Sequence, residues 1–212
     1  MKVLLVLAGI PPDTDLLKTE MSQADIVIAV DGGSQVFLEN KLKPDLLIGD
    51  LDSHTGLFDD SVTIICADNQ NFTDLEKALE YLFINYSPRS LVLLGATGGR
   101  TDHLLNNLHI CASVDLEIDI IIRSTIKVNE KYLTETITRI AGEGITDLPV
   151  RKGATVSVLP VTHFKKLDVT GLEWDICGVD SSSKLVSQSN IVKSNPLQIK
   201  LLSGCVYIVV YQ

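Results

Sequence analysis

Four short segments in the first half of the chain combine acidic side chains with glycine or a helix start, each at or shortly past the end of an apolar run. In Asp31-Gly32-Gly33-Ser34, two glycines let the backbone come close to a phosphate, and a following helix would aim its N-terminal amides at the anion. The same residues also fit a tight strand-to-helix turn with Ser34 as N-cap. In Gly49-Asp50-Leu51-Asp52-Ser53, an extended backbone sets the Asp50 and Asp52 carboxylates on one side. Hard oxygen ligands of that kind suit Mg²⁺, which takes one or two carboxylates plus substrate phosphates. A polar turn capped by Asp accounts for them equally well.

The third segment runs from Asp68 through Gln70 to Thr73-Asp74-Leu75-Glu76-Lys77. Thr73 and Glu76 have the spacing of a capping box, and Asp74 in the first turn suits the helix dipole. Lys77 either pairs with Asp74 or reaches a phosphate. The fourth, Gly95-Ala96-Thr97-Gly98-Gly99-Arg100-Thr101-Asp102-His103, places three glycines and an arginine between a strand and a helix, a phosphate cradle with a guanidinium clamp. Asp102 stands at the helix start as N-cap or metal ligand, and His103 suits a packed or capping role before that of a base. No Gly-Lys-Ser/Thr ending is present, so this is not a Walker A loop.

The elements that position these segments follow from hydrophobic period. Strands are expected at Lys2–Leu7, Ile26–Val30, Leu46–Ile48, Val62–Cys66, Leu91–Leu94 and Ile118–Ile122, and helices at Asp13–Met21, Ser34–Asn40, Thr73–Asn85 and Asp102–Val114. Continuous apolar strands alternating with helices predict a mainly parallel sheet covered on both faces, with ligands beyond the carboxyl ends of the strands. After about Arg123 only short β-rich runs occur: Ser124–Val128, Thr134–Ile140, Ala154–Leu159, Lys165–Val169, Leu185–Gln188, Leu197–Leu202 and Val206–Tyr211. These predict a sandwich or barrel and a domain boundary near residues 122–125.

Composition narrows the function classes. Hydrophobic residues make up 45% of the 212 and charged residues 21%, enough for a full-sized core. Residues 1–122 carry 7 basic and 19 acidic side chains, against 11 and 8 in the remainder. A half this acidic is no nucleic-acid footprint, and it needs divalent cations before it can hold a phosphate ligand. The apolar opening, followed directly by Pro11-Pro12, reads as a buried first strand rather than a signal peptide. No apolar run approaches the roughly 18 residues of a membrane span. Four scattered cysteines without a Cys-x-x-Cys pair predict reduced thiols and a cytoplasmic protein.

Taken together, the order and contents of these segments resemble the thiamine pyrophosphokinase (thiamine diphosphokinase) family. Asp31-Gly32-Gly33, Gly49 to Ser53, Gln70 with Thr73-Asp74 and Lys77, and Gly98 to His103 carry the resemblance. Thr170-Gly171-Leu172-Glu173-Trp174 and Ser187-Gln188-Ser189-Asn190 extend it into the second half. The resemblance implies a Rossmann-like α/β nucleotide-binding catalytic domain over 1–123, and a β-sandwich for thiamine binding and dimerisation over 124–212. It implies transfer of pyrophosphate from ATP to the hydroxyl of thiamine, giving thiamine diphosphate and AMP with Mg²⁺, in a homodimer. By carry-over, Asp50, Asp52 and Asp74 hold the metal, with Asp31 and Asp102 close by. Gly32, Gly33, Ser53, Thr73, Lys77, Gly98, Gly99, Arg100 and His103 serve the substrates, and Gln70, Ser189 and Asn190 lie against thiamine. Trp174, the single tryptophan, is expected as a buried anchor of the sandwich rather than an aromatic platform. The alternatives are a pyrophosphokinase for another hydroxymethyl heterocycle such as a pterin, and a non-catalytic thiamine or nucleotide sensor.

On this reading Asp52→Asn removes most turnover while leaving the fold intact, as followed by a steady-state assay beside a thermal melt. Near-normal activity with unchanged Mg²⁺ dependence would contradict the metal assignment.

Overall fold

The computed structural model describes residues 1–50, 58–183 and 187–212. They divide into one unit of Met1–Ile110 with Glu117–Ser124 and a second of Cys111–Leu116 with Thr125–Gln212. In the first unit the apolar runs form parallel strands β1 (Lys2–Val6), β2 (Ile26–Val30), β3 (Leu46–Gly49), β4 (Thr63–Cys66), β5 (Ser90–Leu94) and β6 (Asp119–Val128). Their spatial order is β6-β5-β1-β2-β3-β4, and each neighbouring pair is parallel. β6 is one continuous strand where the sequence suggested two, and it carries the chain from the first unit into the second.

Burial on both faces explains why β1, β2, β3 and β5 read as unbroken apolar runs, whereas β4 at the sheet edge is largely exposed. Leu4 and Val6 of β1 share a core with Val27, Ala29, Leu47, Val92 and Leu94, covered by Leu17 of α1 (Thr14–Gln23) and Phe37 of α2 (Gln35–Glu39). Val3, Leu5, Ile28, Ile48, Leu91 and Leu93 are buried as completely on the opposite pleat. Each such side chain contributes about 1.5–3 kcal/mol. Helix α3 (Asp74–Asn85) packs on β2 and β3 and buries Leu75, Ala78, Leu79 and Leu82, the i, i+3, i+4, i+7 stripe of an amphipathic helix. Helix α4 (Thr101–Ser113) follows β5.

Capping and one buried carboxylate fix α1. Asp13 accepts from the amide of Leu16 at 2.8 Å, the expected N-cap bond. Glu20, apolar-facing by position yet only 2% exposed, meets the Lys2 ammonium at 3.1 Å and the guanidinium of Arg123. A charge this buried persists only because both partners neutralise it.

The second unit is antiparallel throughout. β7 (Lys131–Ala141), β9 (Thr155–Lys165), β12 (Ser187–Ile191) and β14 (Ser203–Tyr211) lie in the order β12-β9-β14-β7. β8 (Gly144–Leu148), β10 (Leu167–Thr170), β11 (Ile176–Val179) and β13 (Leu197–Leu201) form a second sheet in the order β11-β10-β13-β8. Val156, Val158, Val206, Ile208 and Val210 of the first sheet share a core with Leu167, Val169, Ile176, Leu197, Ile199 and Leu201 of the second. β8 and β11 were not expected: the first is mostly exposed and the second carries Gly178, so neither shows an apolar alternation. Of the expected strand Leu185–Gln188, residues Leu185 and Val186 lie outside the described residues, and the strand observed there begins at Ser187. Among the described residues no helix is long and apolar enough to cross a membrane.

Behind β14 sits a polar plug. The buried Arg139 guanidinium donates to the carbonyls of Cys111, Val114 and Asp115 at 3.0, 2.7 and 2.6 Å, satisfying the C-terminal end of α4. Beside it, burial pushes the Cys111 thiol up to about 12 and the Cys205 thiol up to about 11, so both stay protonated at neutral pH. Cys66 and Cys177 are exposed. Brief iodoacetamide treatment of the native protein therefore modifies Cys66 and Cys177 and spares Cys111 and Cys205 until denaturant is added, as peptide mass mapping shows. Native labelling of Cys205 would contradict this packing.

Candidate active site

In an open parallel sheet the carboxyl ends of the strands lie on one side, and ligand crevices open where the strand order turns back. Here that point is β1, since the chain steps outward from β1 through β2, β3 and β4, then returns to place β5 on the other edge of β1. A cavity of about 760 Å³ opens there, within the range of sites that take small molecules. Its wall comes from residues just past the strands: Leu7, Ala8 and Gly9 after β1, Asp31 after β2, Asp50 after β3, and Gly95, Ala96 and Gly98 after β5. The starts of α3 and α4 complete it with Gln70, Phe72, Thr73, Asp74, Lys77, Asp102, His103, Asn106 and Asn107.

Three carboxylates, Asp31, Asp50 and Asp74, thus line one cavity from three different elements. Asp31 adopts a left-handed backbone, φ 46°, a conformation Asp tolerates better than most side chains. Lys77 is 7% exposed, and its ammonium lies 3.1 Å from Oδ1 of the half-exposed Asp74. Of the two roles open to Lys77, pairing with Asp74 is thus present, and the cavity position leaves the ammonium within the site. Among the described residues no three His, Cys, Asp or Glu side chains converge closely enough to hold an ion by themselves.

Two expectations for the segment ends change. Gly33 after β2 is required by packing, because a Cβ on it would lie 2.0 Å from the carbonyl oxygen of Val6. Neither Gly32 nor Gly33 lines the cavity. Ser34 is not an N-cap: it is helical at φ −65°, ψ −27°, makes no capping bond, and is buried. Thr73 does cap α3: the amide of Glu76 donates to Thr73 Oγ1 at 3.4 Å, and the amide and hydroxyl of Thr73 donate to Glu76 Oε2 at 2.8 and 2.7 Å.

At the fourth segment, Asp102 is the second residue of α4 rather than its N-cap. It accepts two hydrogen bonds from Arg100, Nη2 to Oδ2 at 2.5 Å and Nε to Oδ1 at 3.1 Å. That pairing holds the Asp102 carboxyl below its usual range and the Arg100 guanidinium above its own. Arg100 and Gly99 lie outside the cavity wall, whereas Gly98, Asp102 and His103 are part of it. Asp52 and Ser53 lie outside the described residues. Sequence reasoning passed over Gly9, Asn106 and Asn107. The asparagines stand three and four residues beyond His103, hence on its helix face, a spacing that could have flagged them.

In the second unit, Asn190 is 3% exposed and its amide is taken up by the backbone. Nδ2 donates to the carbonyl of Trp174 at 2.9 Å, while Oδ1 accepts from the amides of Ile191 at 2.8 Å and Trp174 at 3.3 Å. Ser189 is exposed and left-handed at φ 56°. The peptide so held presents Trp174 outward: it is 65% exposed, not the buried anchor expected.

Residues 17–122, half of the chain, match the sequence family described as thiamin pyrophosphokinase, catalytic domain. The chain belongs to the thiamin pyrophosphokinase family. Thiamine diphosphokinase activity, a transferase reaction that makes thiamine diphosphate, goes with that membership. By sequence, no curated protein matches the chain. Among solved structures, the thiamin pyrophosphokinase of Geobacillus thermodenitrificans is similar over 100% of this chain and 98% of its own, with 22% identity and a TM-score of 0.77. That of Candida albicans is similar over 99% and 88%, with 17% identity and a TM-score of 0.77. That of Bacillus subtilis is similar over 99% and 98%, with 20% identity and a TM-score of 0.72. At such identities the likeness to these structures is one of fold.

The Asp74–Lys77 pair makes a stability prediction for this thiamin pyrophosphokinase family member. Asp74→Asn leaves a nearly buried ammonium without its counter-charge and costs about 1–2 kcal/mol, moderated because Asp74 is half exposed. Adding Lys77→Met recovers most of that loss in denaturant melts. Equal losses in the single and double variants would show the pair to be uncoupled.

Proposed function

We propose that the diphosphoryl donor is ATP, that AMP leaves, and that Mg²⁺ accompanies the nucleotide into the cavity at the ends of β1, β2, β3 and β5. The observation that carries this reading is the joint lining of one cavity by Asp31, Asp50, Asp74, Lys77 and the Gly95–Gly98 loop. The donor chemistry fits the ion: hard carboxylate oxygens, too few and too spread to form a closed cage, suit Mg²⁺ shared with phosphates and water. Asp50 and Asp74, with Asp52 from the sequence, would hold it, and Asp31 and Asp102 stand nearby. When bound, the ion supplies charge neutralisation to the phosphate oxygens.

The remaining work belongs to the chain's own residues. Phosphoryl transfer depends mainly on positioning and charge, with little covalent chemistry required of the protein. Lys77, steadied by Asp74, sets a positive charge against the phosphates. Arg100 releases Asp102 to clamp the phosphates, and the Gly98-Gly99 backbone admits them closely. Gln70, His103 and Thr73 border the same space and orient the hydroxyl of thiamine for in-line attack on the β-phosphorus.

We read the first unit as a Rossmann-like nucleotide-binding domain and the second as a β-sandwich that meets thiamine through Ser189, whose amide donates to Ser157 Oγ, and through the exposed face of Trp174, whose peptide Asn190 holds. A homodimer with sites shared between the subunits, in the cytoplasm, completes this reading.

Purified protein given ATP, Mg²⁺ and thiamine should yield AMP and thiamine diphosphate in equal amounts, resolved by chromatography. ADP with thiamine monophosphate would overturn the pyrophosphoryl geometry. Lys77→Met should lower kcat at least tenfold while the thermal midpoint stays close to that of the unaltered protein.

A further inference from the structure

The loop that follows β5 enters the cavity wall through Gly95, Ala96 and Gly98. The four carbonyl oxygens from Leu94, the last strand residue, to Thr97 are each bound by a donor within the protein. The amide of Leu7 donates to Leu94 O at 2.8 Å, that of Gly9 to Gly95 O at 2.8 Å, and that of Ile10 to Thr97 O at 3.2 Å. The odd member is Ala96, whose carbonyl accepts from the side chain of Asn107, Nδ2 to O, at 3.0 Å. Three of the four successive carbonyls are thus fixed by the backbone that leaves β1, and the fourth by an asparagine two turns into α4.

This arrangement has an electrostatic consequence. A carbonyl oxygen is the negative end of the peptide dipole, and one facing an anion site repels the ligand, whereas the amide end attracts it. Binding all four oxygens within the protein removes that repulsion. The Ala96 oxygen is held by a side chain rather than by the backbone leaving β1, so a substitution at Asn107 can free it while β1 and β5 stay paired. A Cβ at Gly95 would lie 2.1 Å from Leu7 O, so the close approach of the β1 exit requires the glycine and fixes the start of the loop.

We infer that Asn107 is a positioning residue for the phosphate-facing loop: its amide holds the Ala96 carbonyl out of the anion site and so tunes affinity for the polyphosphate portion of the substrate. The inference rests on the reading that the cavity takes a nucleoside triphosphate. It assigns Asn107 no contact with the reacting atoms.

The test is calorimetric titration of the full chain, with Mg²⁺, against α,β-methylene-ATP and separately against thiamine. Asn107→Leu keeps the bulk of the side chain and removes the donor, and Asn107→Ala does so without any risk of overpacking should the first variant fold poorly. Asn107→His returns a ring N–H near the position of the lost amide. The expected result is a tenfold or greater loss of affinity for the analogue in the Leu and Ala variants and thiamine affinity within twofold, with partial recovery in the His variant. In steady state the same variants raise KM for ATP and leave KM for thiamine unchanged. Analogue affinity unchanged in a folded variant, or equal losses for both ligands, overturns the inference and makes Asn107 merely structural. Failure of the unaltered protein to bind the analogue overturns the nucleotide reading itself, and this inference with it.

Discussion

The pairing of β1 with β5 continues past the strands themselves, through Leu7, Gly9 and Ile10 on one side and Leu94, Gly95 and Thr97 on the other, and the cavity depends on that continuation. Both strands are buried on both pleats, so a one-residue slip would move every side chain to the wrong face and is strongly excluded. Register along the strands therefore dictates where the two exit loops meet. Gly9 lies so near Gly95 that a Cβ on it would stand 2.2 Å from the Gly95 oxygen, and that closeness lets two loops from distant parts of the chain act as one wall. Asp31 and Asp50 reach the same wall because β2 and β3 are in parallel register with β1.

In and beside that wall, charge is arranged as neutralised pairs, Arg100 standing just outside it. Lys77 is bound by Asp74 and Arg100 by Asp102, each pair formed between residues two or three apart in the chain. An anionic ligand therefore meets cations already satisfied by carboxylates and must compete for them. Asp31 and Asp50 add further negative charge to the cavity. Under the proposed function, a polyphosphate arriving with a divalent cation resolves this conflict, since the cation engages the carboxylates while the phosphates engage the freed lysine and arginine. On that proposal the same arrangement would disfavour anions that arrive without a metal.

Legibility in the sequence followed burial. Parallel strands buried on two faces leave unbroken apolar runs, so β1, β2, β3 and β5 and the helices between them could be placed closely from sequence. Strands with one wet face or a glycine left weaker traces, and β8 and β11 escaped. Site residues next to strand ends were legible because the parallel topology itself says where ligands go. What residue type alone could not reveal was the direction of each group's bonds. Gly32 and Gly33 have the composition of a phosphate loop, yet Gly33 is needed by the carbonyl of Val6. Ser34 has the composition of a cap and is buried inside the turn. Nothing near Glu20 in the sequence announces its burial, because its partners Lys2 and Arg123 are 18 and 103 residues away.

Asn107 and Asn190 show the same limit in reverse. An asparagine near a site is readily taken as a ligand contact, but its amide can both donate and accept, which makes it equally suited to holding a peptide. Asn190 spends both ends of its amide on the peptide of Trp174 and the amide of Ile191, so it has little left for a ligand. Its bonds leave the Trp174 indole facing outward. Asn107 likewise fixes the Ala96 carbonyl. In each unit an asparagine beside a motif holds a peptide of its own unit. A substitution there should change geometry before it removes a contact, which is why affinity for one ligand relative to another reports on such residues better than overall stability does.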